Sequence, residues 1–248
     1  VIYVDPGVGQ WGLENFLVAI GGDVIEVVSP TKLGTTAGRQ LEKRGDGGYM
    51  IIMQTEDARA RRKFIEEKKL AKVIWTHEGK ESVAVQYHPK GIKGGVIPEL
   101  DSHDATSSNP KPLTTRFSPW HACGRDYDAY SAGMKRHADL SLVGCVCRLT
   151  PGDNDGESAS RQWEDIFGVP RSRDLVAFTN ARLGFIRGEG GKPEGIMSIT
   201  IAVKGQKRFD GILERASQMG LCREGWIDMV GVRWYFTHAG EETSASRL

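Results

Sequence analysis

Tyr49-Met50-Ile51-Ile52-Met53-Gln54-Thr55 reads as a buried strand. Residues 56–70 follow with Ala60, Phe64 and Ile65 at helical spacing and two acids opening the first turn. Three more strands then come in succession, over 72–76, 82–88 and 95–100. The unit is therefore strand, helix, then three strands.

The same unit returns on the C-terminal side. A strand over 141–149 precedes a helix over 157–167 that puts Ala159, Trp163, Ile166 and Phe167 on one face, and strands follow over 174–179 and 183–187. Residues 196–203 then alternate at period two. The next helix, 207–219, aligns Phe209, Ile212, Leu213, Ala216 and Met219, and strands over 226–229 and 232–238 close the pattern. Ahead of Tyr49, segments 1–4, 13–20 and 23–28 supply three strands and no helix. Four copies of one unit result, the first lacking its opening strand and helix. The stretch 105–139 between the second and third copies is rich in Ser, Thr, Pro and Asn and reads as a linker. Expected domains are thus 1–104 and 140–240, with a flexible tail over 241–248.

Composition narrows the function classes. The chain has 248 residues, 39% apolar and 26% charged, as in an ordinary globular protein. Lys and Arg total 33 against 32 Asp and Glu, a net charge of +1 that argues against nucleic acid as partner. No apolar run approaches the roughly 18 residues that span a bilayer, so a membrane is not an expected partner either. Four cysteines, Cys123, Cys145, Cys147 and Cys222, lack the spacing of a disulfide framework or a zinc site and read as reduced, intracellular thiols. The chain opens at Val1 directly into a strand, which reads as a fragment or a processed form. Its last residues, Ser246-Arg247-Leu248, resemble the Ser-Lys-Leu peroxisomal address, so a cytoplasmic or peroxisomal location is expected.

The repeated and paired βαβββ order resembles the vicinal oxygen chelate superfamily, whose members include glyoxalase I, extradiol dioxygenases, epimerases and fosfomycin-resistance proteins. Asp23-Val24-Ile25-Glu26-Val27-Val28-Ser29-Pro30 looks like the last strand of a first unit. Gly47-Gly48-Tyr49-Met50-Ile51-Ile52 looks like the entry to a second, and Tyr87-His88-Pro89 with Gly94-Gly95-Val96-Ile97-Pro98-Glu99-Leu100 like its final hairpin. These resemble the glyoxalase-like branch. The resemblance implies an α+β fold in which paired βαβββ units form two cup-shaped mixed-sheet domains, as in glyoxalase and dihydroxybiphenyl dioxygenase. It also implies a divalent metal (Zn, Ni, Mn, Fe or Mg) held by side chains of first and last strands. Carried over by position, Glu26 and Glu99 fall on last strands and are the expected catalytic groups. Glu26, His88 and Glu99 are the expected metal ligands, and Tyr49 and His88 the expected substrate contacts. His88 on a penultimate strand departs from the family pattern, as does Tyr49 at a ligand position. The implied function is a metal-dependent lyase or isomerase acting on a small oxygenated metabolite. The alternatives are an extradiol-type dioxygenase and a non-enzymatic small-ligand-binding protein.

Each of these residues also has a plainer reading. Strand alternation can bury Ile25 and Val27 and leave Glu26 in water; turned inward, Glu26 needs a metal, a cation or a proton. Glu99 can be a solvated edge residue, His88 a turn histidine before Pro89, and Tyr49 a packed aromatic. The second half offers few ligand-type side chains on its strands. It is expected to pack, to bind the apolar part of a ligand, or to form the surface of a homodimer.

Overall fold

A computed structural model describes residues 1–107, 110–113 and 116–240. The first half contains β1 (Leu13–Ile20), β2 (Asp23–Pro30), α1 (Thr36–Arg44), β3 (Met50–Gln54), α2 (Ala58–Glu67), β4 (Val73–Glu78), β5 (Ser82–Tyr87), β6 (Ile97–His103) and α3 (Tyr127–Lys135). The second contains β7 (Leu140–Arg148), α4 (Gly156–Phe167), β8 (Arg171–Ser172), β9 (Leu175–Ala177), β10 (Arg182–Ile186) and β11 (Gly195–Val203). It closes with α5 (Gln206–Gln218), β12 (Cys222–Arg223), β13 (Trp226–Met229) and β14 (Val232–His238).

The strands obey one rule. In each complete unit the first strand lies parallel to the fourth, and the third and second follow outward. That order is β3-β6-β5-β4 in a four-stranded sheet, and β7-β10-β9-β8 and β11-β14-β13-β12 within an eight-stranded one. Antiparallel pairing of β7 with β11 joins the last two units into one curved sheet. β1 and β2 form a separate two-stranded antiparallel hairpin, and a bridge from Tyr3 to Leu17 lays residue 3 beside β1. The structure is therefore mixed α+β, built from repeated βαβββ units.

Side-chain capping marks the helix starts. Asp57, Asp126 and Asp155 each accept a hydrogen bond from a backbone N–H in the first turn of α2, α3 and α4. Helix α1, absent from the sequence reading, has the same signature in Thr35, which accepts from Gly38 N. It lacks an apolar stripe: Ala37 is its one buried residue, so periodicity had nothing to detect.

One of three hydrophobic clusters ties the halves together. Val83, Val85, Tyr87 and Leu100 from the four-stranded sheet pack with Ile65 of α2 and with Cys147, Trp163, Ile166, Phe167 and Leu183 of the second half. Trp163 is fully buried and its Nε1 donates to Lys93 O at 2.9 Å, while Lys93 Nζ meets Asp153 Oδ2 at 2.7 Å. The stretch expected as a linker contributes to packing as well. Trp120, Cys123, Tyr130 and Met134 are buried against Leu17 and Ala19 of the hairpin. No helix among the described residues is long and apolar enough to cross a membrane. The tripeptide Ser246-Arg247-Leu248 lies outside the described residues.

Candidate functional site

Alternation along β5 and β6 creates the site. Val83, Val85, Tyr87 and Leu100 face the core, and Ser102 Oγ accepts from the α2 amide Ala58 N. Gln86, Glu99, Asp101 and His103 therefore point from the opposite face of the sheet. Trp75 and His77 of β4 pair with Gln86 and Ala84 and share that face. Glu99 is 4% and Asp101 0% exposed, a burial that carboxylates tolerate only with partners.

Those partners are few. Gln86 Nε2 donates to Glu99 Oε2 at 2.6 Å, and Trp120 Nε1 donates to Asp101 Oδ2 at 2.5 Å. His121 Nδ1 stands 3.5 Å from the same Asp101 oxygen. Among the described residues, Asp101 Oδ1, His121 Nδ1 and His103 Nε2 are buried without a hydrogen-bond partner. One ligand-type atom from each of Glu99, Asp101 and His121 lies within 4.8 Å of the others.

Glu26 faces this group from the hairpin. It sits opposite fully buried Leu17 in the β1–β2 register and accepts from Asn15 Nδ2 at 2.5 Å. Asn15 is itself fixed by Asp5 N, which donates to its Oδ1 at 2.9 Å. The charge of Glu26 is felt at His121 and at Tyr49, as is that of Glu99.

Burial sets the protonation of the cluster. It raises Glu26 above the usual carboxylate range. It raises Glu99 further, with the neighbouring Asp101 charge adding to the effect. Asp101 rises to about 7 through burial, opposed by the neighbouring Glu99 carboxyl and by the hydrogen bond from Trp120. Burial also lowers His121, against the pull of Glu99, Asp5 and Glu26, and brings His103 down to about 4. The imidazoles are thus neutral, the form that binds metal. Burial pushes the Cys123 thiol up to about 12, which removes it as a nucleophile.

A run of rings leads to the acids. Trp11, 46% exposed, meets Trp75 edge-on at 5.9 Å; Trp75 stacks on His77 at 6.1 Å, and His77 on His121 at 5.4 Å. Two carboxylates and an imidazole fit a divalent ion of the harder or borderline type.

Of the residues singled out in the sequence, Glu26, Glu99 and Tyr49 are brought together here. His88 is not part of the group: its N donates to Lys72 O and its Nδ1 accepts from Lys90 N, a local turn. Asp101 and His121 are the additions. Asp101 lies two residues from Glu99 on the same strand face, so alternation alone would have found it. His121 follows a long irregular stretch, and no spacing rule connects it to β6.

No family model and no curated protein matches this sequence. A 4-hydroxymandelate synthase variant from Streptomyces coelicolor superposes with a TM-score of 0.57 at 13% identity, covering 88% of this chain and 65% of that one. A methylmalonyl-CoA epimerase variant from Streptomyces coelicolor covers 39% of this chain and 74% of its own at 24% identity and a TM-score of 0.34. A hypothetical protein from Bacillus halodurans covers 42% and 76% at 18% identity and a TM-score of 0.37. Strand order in every complete unit, and the match to the synthase over most of the chain, give this protein the vicinal oxygen chelate fold.

Proposed function

We propose that the buried cluster of Glu99, Asp101 and His121 beside the β1–β2 hairpin is a metal-dependent acid–base site, and that the protein is a lyase or isomerase of small oxygenated metabolites. The observation that carries this reading is the buried convergence of Glu99, Asp101 and His121, with Asp101 Oδ1 and His121 Nδ1 left unpartnered. Buried polar atoms without partners are rare in folded proteins, and a bound cation supplies what these lack.

Glu99, Asp101 and His121 would hold the ion, with Zn, Ni, Mn, Fe and Mg the candidates. When bound, a divalent ion acts as a Lewis acid toward a carbonyl or hydroxyl oxygen of the substrate. Trp120 fixes the orientation of Asp101, and Gln86 that of Glu99. Glu26, held by Asn15 and raised by burial, is the proton carrier: it takes a proton from a carbon beside the substrate carbonyl and returns it to a neighbouring atom. The rings of Trp11, Trp75 and His77 run in contact from the exposed Trp11 toward His121. Among the described residues the second half offers no comparable group of ligands, which favours the first-half site over a dioxygenase centre in the second.

Elemental analysis and Mn²⁺ or Zn²⁺ titration test the reading. One ion per chain is expected, lost in Asp101→Asn and in His121→Gln and retained in His88→Gln. Glu26→Gln is expected to keep the ion and abolish proton exchange into bound small carbonyl compounds. Absence of stoichiometric binding by the unaltered protein would sink the proposal.

A further inference from the structure

A separate cleft of about 270 Å³ opens where the loop between α1 and β3 meets the eight-stranded sheet, at the small end of ligand-sized sites. Three guanidinium groups line it, from Arg44, Arg148 and Arg233. Arg44 is fully engaged: it donates to Gly95 O at 3.0 Å, to Glu194 O at 3.1 Å and to Glu194 Oε1 at 3.2 Å.

The other two are not. Neither Arg148 nor Arg233 has a carboxylate within ion-pair distance among the described residues. Arg148 Nε is buried with no acceptor, and its Nη1 reaches only Pro193 O, at 3.4 Å. Arg233 lies over the Trp226 ring, 4.8 Å from its centroid. The lining acids do not answer them. Glu194 is taken by Arg44, Asp228 sits 3.8 Å from Arg223, and Asp46 forms no ion pair among the described residues.

The walls are fixed by close backbone approach. Gly231 has φ +69°, and a Cβ there would stand 1.9 Å from Asp46 O. A Cβ on Gly48, which bridges to Ile196, would stand 2.6 Å from Ile196 Cδ1. Gly45, Gly47 and Gly48 thus line the cleft together with two arginines that form no ion pair among the described residues, the Arg148 charge being felt at the exposed Glu189.

We propose that this cleft is a second ligand site, taking a small molecule that presents a phosphate or carboxylate between Arg148 and Arg233. A guanidinium recognises either oxyanion through paired N–H donors. The site draws on both halves of the chain and does not depend on the acid–base site.

Calorimetric titration of the full chain with inorganic phosphate, pyrophosphate and malonate, at low salt, tests it. Saturable binding of at least one is expected, and the strongest of the three tells phosphate from carboxylate recognition. Arg233→Gln, at an exposed position, should weaken that binding at least tenfold with the melting temperature unchanged, and Arg148→Gln should do the same. His121→Gln should bind as the unaltered protein does, which separates this cleft from anion capture at a metal. Lack of saturable binding by all three anions would overturn the proposal, as would unchanged affinity in Arg233→Gln or loss of binding in His121→Gln.

Discussion

The indole N–H of Trp120 and the carboxylate of Asp101 form a hydrogen bond of 2.5 Å inside the protein, where Asp101 is fully shielded from solvent. It joins the interior of β6 to a segment with little regular structure. Trp120→Phe keeps the packing and removes the donor. Stability is expected to fall by about 1–3 kcal/mol, the cost of a buried acceptor left unmade, as read by urea denaturation. Metal affinity should fall in the same variant, by about 10–100-fold.

Asp101→Asn separates stability from function. Two adjacent buried carboxyls strain the metal-free fold, so replacing one by an amide should leave the metal-free protein as stable or more stable. The same change should abolish metal-dependent stabilisation. Thermal melts with and without Mn²⁺ give both readings.

Trp163 reports on the union of the halves. Truncation to alanine removes a fully buried indole that touches both, and should cost about 3–5 kcal/mol. Because one of the hydrophobic clusters is built from both halves, urea unfolding should remain a single transition by far-ultraviolet dichroism and by fluorescence. Two separated transitions would show that the halves fold independently.

Asp23 gives a pH dependence away from the acids of the site. Burial raises it to about 6, despite hydrogen bonds from Leu142 and Asn180 and the nearby Arg116 charge. The folded protein therefore holds this proton more tightly than the unfolded chain, whose value is near 3.8. Its favourable contribution is complete below that pH and declines as pH rises through about 6. Asp23→Asn keeps an acceptor for Asn180 and should be more stable than the unaltered protein at pH 8, by about 1–2 kcal/mol for this half-buried group. The advantage should vanish near pH 4.

Much of the architecture was legible because apolar spacing encodes it. The Trp163 stripe of α4 and the alternation of β11 are visible in the sequence and are helix and strand in the structure. Helix α1 was not, since a helix held by its caps and one alanine leaves no periodic trace. The site divides the same way. Glu26 and Glu99 were reached because the family resemblance carries ligand positions onto the last strands of its units. His121 was not, because its position follows from how residues 116–135 fold back over the hairpin, a tertiary relationship with no local code. His88 attracted notice beside Pro89, yet the following residues turn its ring nitrogen into a local acceptor.

The core shared by α2, α4 and the four-stranded sheet has a practical corollary for anyone wishing to express the pieces singly. A chain stopped near residue 104 would bare Tyr87, Val85 and Leu100, while one begun near residue 140 would bare Trp163 and Phe167. Each would present the other's missing half as a greasy scar, and aggregation rather than an autonomous module is the expected product.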